Sequence, residues 1–267
     1  MTMEGFQTFR SQFKPTGQAS PTATTSYRDR ELIRMVPGLS DLIAELGGKV
    51  LNDGAYRLLD DQLAEAAKDF IAEAMPVQKG IRAPFGCDWM GRIYAVDGSK
   101  RRAPNGELCA CLLDPATRDL LSVPGSVADF HNSILVEEPD VAYEEPLWHQ
   151  WRERNKEPLA FSDVVGWKTP AFLGGSLEVS NLEVQPACVY WPLAGQLIAQ
   201  AFNLKPGTPI RSVTIEQRSI LGQGPTVECR LCGIGLRRRS YAGRRARFGL
   251  STPVRARGGS RRSAPAG

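Results

Sequence analysis

The chain has 267 residues, 42% of them hydrophobic and 23% charged, with a formal net charge of +4; these proportions exclude collagen, coiled coil and a wholly disordered chain. No window approaches ~18 uninterrupted apolar residues, which excludes a membrane-spanning helix. The charge is unevenly placed: eleven arginines and no acid lie from Arg230 onward, leaving 22 basic against 29 acidic residues in 1–229, a net of −7.

Residues 1–26, rich in Thr, Ser, Gln, Gly and Pro, read as a flexible arm. They contain no apolar signal region, so a cytoplasmic location is expected. Phe6, Phe9 and Phe13 fall near one helical face, which leaves a short docking segment as the alternative. From 27 to 80 the pattern is mostly helical. Leu39, Leu42, Ile43 and Leu46 recur at helical spacing and Gly47-Gly48 closes that helix. Tyr56, Leu58 and Leu59 read as a short strand. Asp60 or Asp61 caps a helix with Leu63, Ala66, Ala67, Phe70 and Ile71 on its apolar face.

The segment 81–220 is richer in strands. Met90 to Asp97 alternates and ends in a turn; Glu107 to Leu113 and Leu120 to Val123 follow, as in an antiparallel meander. Ser126-Val-Ala-Asp129 has capping-box spacing and opens a helix carrying Phe130, Ile134 and Leu135. A second helix is predicted over 144–156, with Leu147, Trp148 and Trp151 inward. Gly166 to Leu173 reads as an extended segment ended by Gly174-Gly175. Cys188 to Phe202 is an apolar helix with Pro192 near its first turn, and Ile210 to Ile215 a final strand. Residues 221–267 are Arg- and Gly-rich and read as a disordered tail. The fold class expected is α+β: a small mixed, largely antiparallel sheet packed with helices, with the helical lead-in packed against it. Trp89, Trp148, Trp151, Trp167 and Trp191 are expected to bridge sheet and helices.

The residues that carry chemistry are sparse. The two histidines, His131 and His149, lie on separate predicted helices, and no serine or cysteine sits in a nucleophile elbow. Cys229-Arg-Leu-Cys232 is half of a zinc site with no second half, and structural zinc needs four ligands. Cys109 and Cys111 share one strand face, as core residues do. Gly174-Gly175 reads as a turn needing positive φ, with phosphate approach as the rival. No cofactor and no metal are therefore expected. The Arg-rich tail can bind nucleic acid non-specifically by counterion release. Its composition is also what a GC-rich alternative reading frame yields.

Glu137, Glu138, Asp140, Glu144 and Glu145 fall within nine positions. They read either as a solvated acidic loop or as a docking surface for a basic partner, since opposite charges steer encounter and set specificity.

Several motifs carry a resemblance. Phe85-Gly-Cys-Asp-Trp-Met-Gly-Arg-Ile-Tyr-Ala-Val-Asp97 is similar to the F-G-x-D-W-x-G-R-x-[YF]-A-x-[DN] opening of a type VI secretion immunity family, found in proteins that protect against DNase effectors. Leu113-Asp-Pro-Ala-Thr117, Ser126-Val-Ala-Asp-Phe-His-Asn132, Gly166-Trp-Lys-Thr-Pro-Ala-Phe-Leu-Gly-Gly175, Val179-Ser-Asn-Leu-Glu183 and Val189-Tyr-Trp191 resemble that family's later motifs, in order. Residues 27–80 resemble more weakly the GAD-like domain that often precedes it. The resemblance implies a non-enzymatic protein that binds and neutralises a cognate toxin. Glu137, Glu138, Asp140, Glu144 and Glu145 are the expected toxin-facing acids on the ground of their charge, opposite the basic cleft a DNase needs, and not of the family motifs. The rival readings are a ligand-binding or regulatory module of the same fold, and a hydrolase using the acids with His131 or His149.

Overall fold

A computed structural model gives the fold; it describes residues 4–17, 19–20, 23–202, 204 and 208, and the backbone of 226–228 and 235–237. A single turn at Glu4–Phe6 leads into α1 (Gln7–Gln12), followed by α2 (Glu31–Arg34) and α3 (Leu39–Leu46). Strands β1 (Val50–Leu51) and β2 (Tyr56–Leu58) precede α4 (Asp61–Ala74). Then come β3 (Arg82–Asp88), β4 (Ile93–Asp97), β5 (Ala110–Leu113) and β6 (Leu120–Ser122). A helix broken by a wide turn follows, as α5 (Val127–Asp129), a π-helical Phe130–Ile134 and α6 (Leu135–Glu137). It leads to α7 (Pro139–Tyr143) and α8 (Glu145–Arg154). Last are β7 (Asp163–Trp167), β8 (Leu182–Pro186), α9 (Ala187–Ala201), β9 (Thr226–Glu228) and β10 (Gly235–Arg237).

The expected α+β class holds. Six strands form one antiparallel meander in the order β1-β2-β3-β4-β5-β6, and β7 with β8 forms a separate antiparallel pair. Every residue of β4 and β5 is buried, so both faces of the sheet are covered. Tyr56, Phe85 and Tyr94 meet Phe130 on the α5–α6 helix, with ring centroids 4.6–6.3 Å apart. Elsewhere α4 packs along α9 and against β3. All five tryptophans are buried, and the Trp191 indole of α9 donates to the Gly91 carbonyl in the β3–β4 turn at 2.8 Å.

Local chemistry fixes the element ends. Asp60 is the cap of α4, accepting the Leu63 N–H at 2.9 Å, while Asp61 instead takes the Tyr27 N–H. Ser126 and Asp129 form the anticipated reciprocal capping box. Pro192 lies in the second turn of α9, not its first.

One expectation is corrected. The described residues between 4 and 25 are not a free arm. Phe6, Phe9 and Phe13 are buried against Tyr56 and His131, because three aromatic rings on one helical face remove too much apolar surface from water to stay exposed. Residues 14–16 run along the edge of β1, with the Thr16 N–H donating to the Val50 carbonyl at 2.8 Å. The lead-in, expected to pack against the sheet, goes further: its β2 joins the sheet, pairing with β3 with Tyr56 opposite Asp88. The predicted strand at 210–215 and most of the 221–267 tail, including Cys229 and Cys232, lie outside the described residues. Within that tail β9 and β10 pair antiparallel.

Candidate functional site

The turn between β3 and β4 is built on Asp88. Its Oδ1 accepts the backbone N–H groups of Met90 (3.0 Å) and Arg92 (2.9 Å), and its Oδ2 accepts the Arg92 Nε–H at 2.6 Å. Gly91 turns the chain at φ +76°, a conformation glycine adopts without strain. Burial pushes the Asp88 carboxyl above its ordinary range, and the Arg92 guanidinium opposes that shift. So held, Arg92 donates from Nη2 to the Ala142 carbonyl at 2.9 Å and reaches Glu144 Oε1 from Nη1 at 3.4 Å. The Trp89 indole donates to the Tyr143 carbonyl at 2.6 Å, and the Tyr94 hydroxyl donates to the Ala142 carbonyl. Three side chains from one hairpin thus satisfy two carbonyls at the C-terminal end of α7, where a helix leaves its own acceptors unpaired. The connection from α7 to α8 is clamped, with Glu144 in the left-handed region at φ 56°.

The clamp positions the acidic run. Glu137 ends α6, Glu138 follows it, Asp140 lies in the first turn of α7, Glu144 joins the helices and Glu145 opens α8. Glu137, Glu138, Asp140 and Glu144 are exposed and Glu145 is half-buried, so the fold brings all five to one connected surface stretch. Val141 lies among them with 64% of its surface in water. Residues 119–151 hold seven acids and no Lys or Arg, which equals the whole net charge of 1–229; the remainder of that span balances at 22 and 22. Among the described residues, Glu137, Glu138 and Asp140 have no ion pair. Asp140 and Glu145 suit the positive ends of their helices, and Glu138 stands at the start of α7 as well as the end of α6, so that only Glu137 plainly opposes a helix dipole.

The other candidates resolve differently. His131 is fully buried; its Nδ1 donates to the Val127 carbonyl at 2.8 Å, which leaves Nε2 to accept from the Tyr56 hydroxyl at 3.2 Å. Burial pushes its pKa down to about 4, so it is a neutral core residue at ordinary pH. His149 is exposed and lies 3.7 Å from Glu145 one helical turn away, in solvent. Cys87, Cys109, Cys111 and Cys188 are buried, with Cys87 and Cys111 pushed up by burial to about 12. Cys87 and Cys111 are therefore poor nucleophiles, since the thiolate is the reactive form. Gly174 has φ +86°, and a Cβ on Gly175 would fall 1.8 Å from the Thr169 carbonyl oxygen, as in a tight turn. Among the described residues no cluster of three His, Cys, Asp or Glu could hold a metal.

Reading the residues one by one missed Trp89, Arg92 and Tyr94 as the clamp. Their signal was an Asp and an Arg in apolar surroundings, four apart and flanking Gly91: a buried charge needs a partner.

No protein-family model matches the chain, and no curated protein matches it. A crystal structure of Atu4351 from Agrobacterium tumefaciens is similar over 79% of this chain and 97% of its own, with a TM-score of 0.50 at 18% identity. That likeness shows a shared fold. Among the described residues, no helix is long and apolar enough to cross a membrane.

Proposed function

We propose that the protein is a non-enzymatic immunity protein that binds a toxin with a basic cleft, a type VI secretion DNase, through the surface from Glu137 to Glu145. The observation that carries this reading is the clamped acidic connection. Among the described residues three of its five carboxylates, Glu137, Glu138 and Asp140, have no ion pair, and the apolar Val141 is exposed in their midst. A nuclease must line its cleft with Lys and Arg to hold a polyanion. Carboxylates fixed on a rigid support can take the places of phosphates there, with little ordering cost on binding. The resemblance of the Phe85–Asp97, Ser126–Asn132 and Gly166–Gly175 motifs supplies the toxin class. Those motif residues cap, turn and clamp, as support for a binding surface. The buried imidazole of His131 offers no access to a substrate, which disfavours the hydrolase reading.

The test is a pull-down from the source cell with the adjacent genes expressed, followed by titration of the purified protein against any nuclease it captures; capture of no nuclease would count against the reading. Replacing Glu137, Glu138, Asp140, Glu144 and Glu145 together by Gln or Asn is expected to weaken binding at least about tenfold and to flatten its salt dependence. Unchanged affinity and an unchanged salt slope would leave the run a solvated surface.

A further inference from the structure

The helix from Val127 to Glu137 contains one turn wound wider than the rest. Across Phe130–Ile134 it is π-helical, and the Leu135 N–H reaches the Phe130 carbonyl five residues back. Such a turn holds one residue more than an α-turn and survives where its surroundings hold it open. At its centre Asn132 grips the N-terminal segment twice. Its Oδ1 accepts the Phe9 N–H at 3.2 Å, and its Nδ2 donates to the Gly5 carbonyl at 2.8 Å. Beside it the His131 ring meets Phe6 and Phe9 edge-on, with centroids 5.1 and 4.9 Å apart. Phe13 reaches on to the ring of Tyr143, 6.4 Å away. Tyr143 supplies one of the two clamped carbonyls.

We infer that residues 4–13 are a strap that holds the π-turn open through Asn132 and so sets how the acidic surface is presented. With the strap released, both side-chain bonds of Asn132 are lost and the turn keeps only the packing of Phe130 and the bonds of His131 on its sheet side. The turn relaxes to α-helical winding, and a one-residue change of register rotates Leu135–Glu137 by about 100°. Glu137 and Glu138 move with it. The helix then has two arrangements, and occupancy of the strap selects between them. The functional consequence rests on the reading of Glu137–Glu145 as the docking surface; the conformational coupling does not.

Amide hydrogen exchange on the full chain, without any partner, tests the coupling separately from toxin binding. The variant Asn132→Ala removes both side-chain bonds to the strap. Phe9→Leu loosens the strap and leaves the helix sequence intact, so it decides the matter should Asn132→Ala not fold. In either, amides of residues 4–13 and of 130–143 are expected to exchange at least about tenfold faster while those of α4 and α9 keep their protection. Faster exchange confined to residues 4–13 overturns the proposal, because the strap is then ordinary packing. Equal acceleration in α4 and α9 overturns it too, because the effect is then global.

Discussion

His131 illustrates how a single buried side chain makes stability depend on pH. The unfolded chain takes up a proton on this ring below about pH 6.5, whereas burial in an aromatic box delays uptake in the folded protein to about 4. The unfolded state therefore binds more protons between those values. The contribution is complete above about pH 6.5 and is lost as pH falls toward about 4, by up to about 3 kcal/mol. Urea denaturation of the wild type and of His131→Gln at about pH 7.5 and about pH 4.5 checks this. The variant should lose less stability on acidification, by about 2 kcal/mol, and parallel losses would contradict a neutral buried ring. That both histidines are structural or surface groups was legible from their apolar helical neighbours. The partners of His131 were not, because Tyr56 and Phe9 lie 75 and more than 100 positions away in sequence.

At the scale of the element, the most instructive strand is β3. Its sequence, Arg-Ala-Pro-Phe-Gly-Cys-Asp, carries a proline and a glycine, both of which argue against a central strand. Periodicity accordingly placed the first strand of this region later, at Met90. The fold accommodates both residues at a bulge, where Pro84 faces Ala95 and Gly86 faces Tyr94, with Phe85 as the extra residue. Gly86 is required by contact: a Cβ there would lie 2.3 Å from the Tyr56 hydroxyl and 3.2 Å from the Arg57 carbonyl. Tyr56 is ringed by Phe9, Phe13, Tyr94 and Phe130 and has no room to withdraw. Gly86→Ala is expected to cost about 1–3 kcal/mol in chemical denaturation, and a cost near zero would show that the ring can shift. Elements whose signals are local were readable: the box at Ser126, the cap at Asp60, the helix closed by Gly47-Gly48. The segment from 4 to 16 was not, because polar composition dominates it and its three phenylalanines gain their meaning from surfaces supplied by distant parts of the chain.

At the scale of the molecule, the six-stranded meander makes the lead-in and the motif-bearing region one cooperative unit. β3 has β2 on one side and β4 on the other. A fragment of residues 81–220 would lack β1, β2, α3 and α4, exposing the β3 edge and the apolar surface that α4 covers. It is expected to show no cooperative thermal transition by circular dichroism, whereas the full chain does. A sharp transition in the fragment would show that residues 81–220 fold without the lead-in. The class of the fold and the antiparallel meander were visible in turn spacing and alternation. Their extent was not, since β1 has only two residues and the Val50–Leu51 pair carries no period. The acidic run was visible as composition alone. Its α7–α8 part is held by Trp89, Arg92 and Tyr94, whose reach to residues 142–144 no local pattern encodes.

The packing of Trp89 beneath that surface also gives the protein an optical property. Trp89, Trp148 and Trp151 lie with ring centroids 5.2, 5.5 and 6.0 Å apart, close enough for their excited states to couple and for emission to gather on one indole. The Trp89 N–H is bonded to the Tyr143 carbonyl, one residue from Glu144, so the polarity felt by the trio changes with the state of the α7–α8 connection. A change at the α7–α8 connection is therefore expected to register in the native fluorescence and near-ultraviolet dichroism of an unlabelled chain, and unchanged spectra on moving that connection would show that the trio does not sense it.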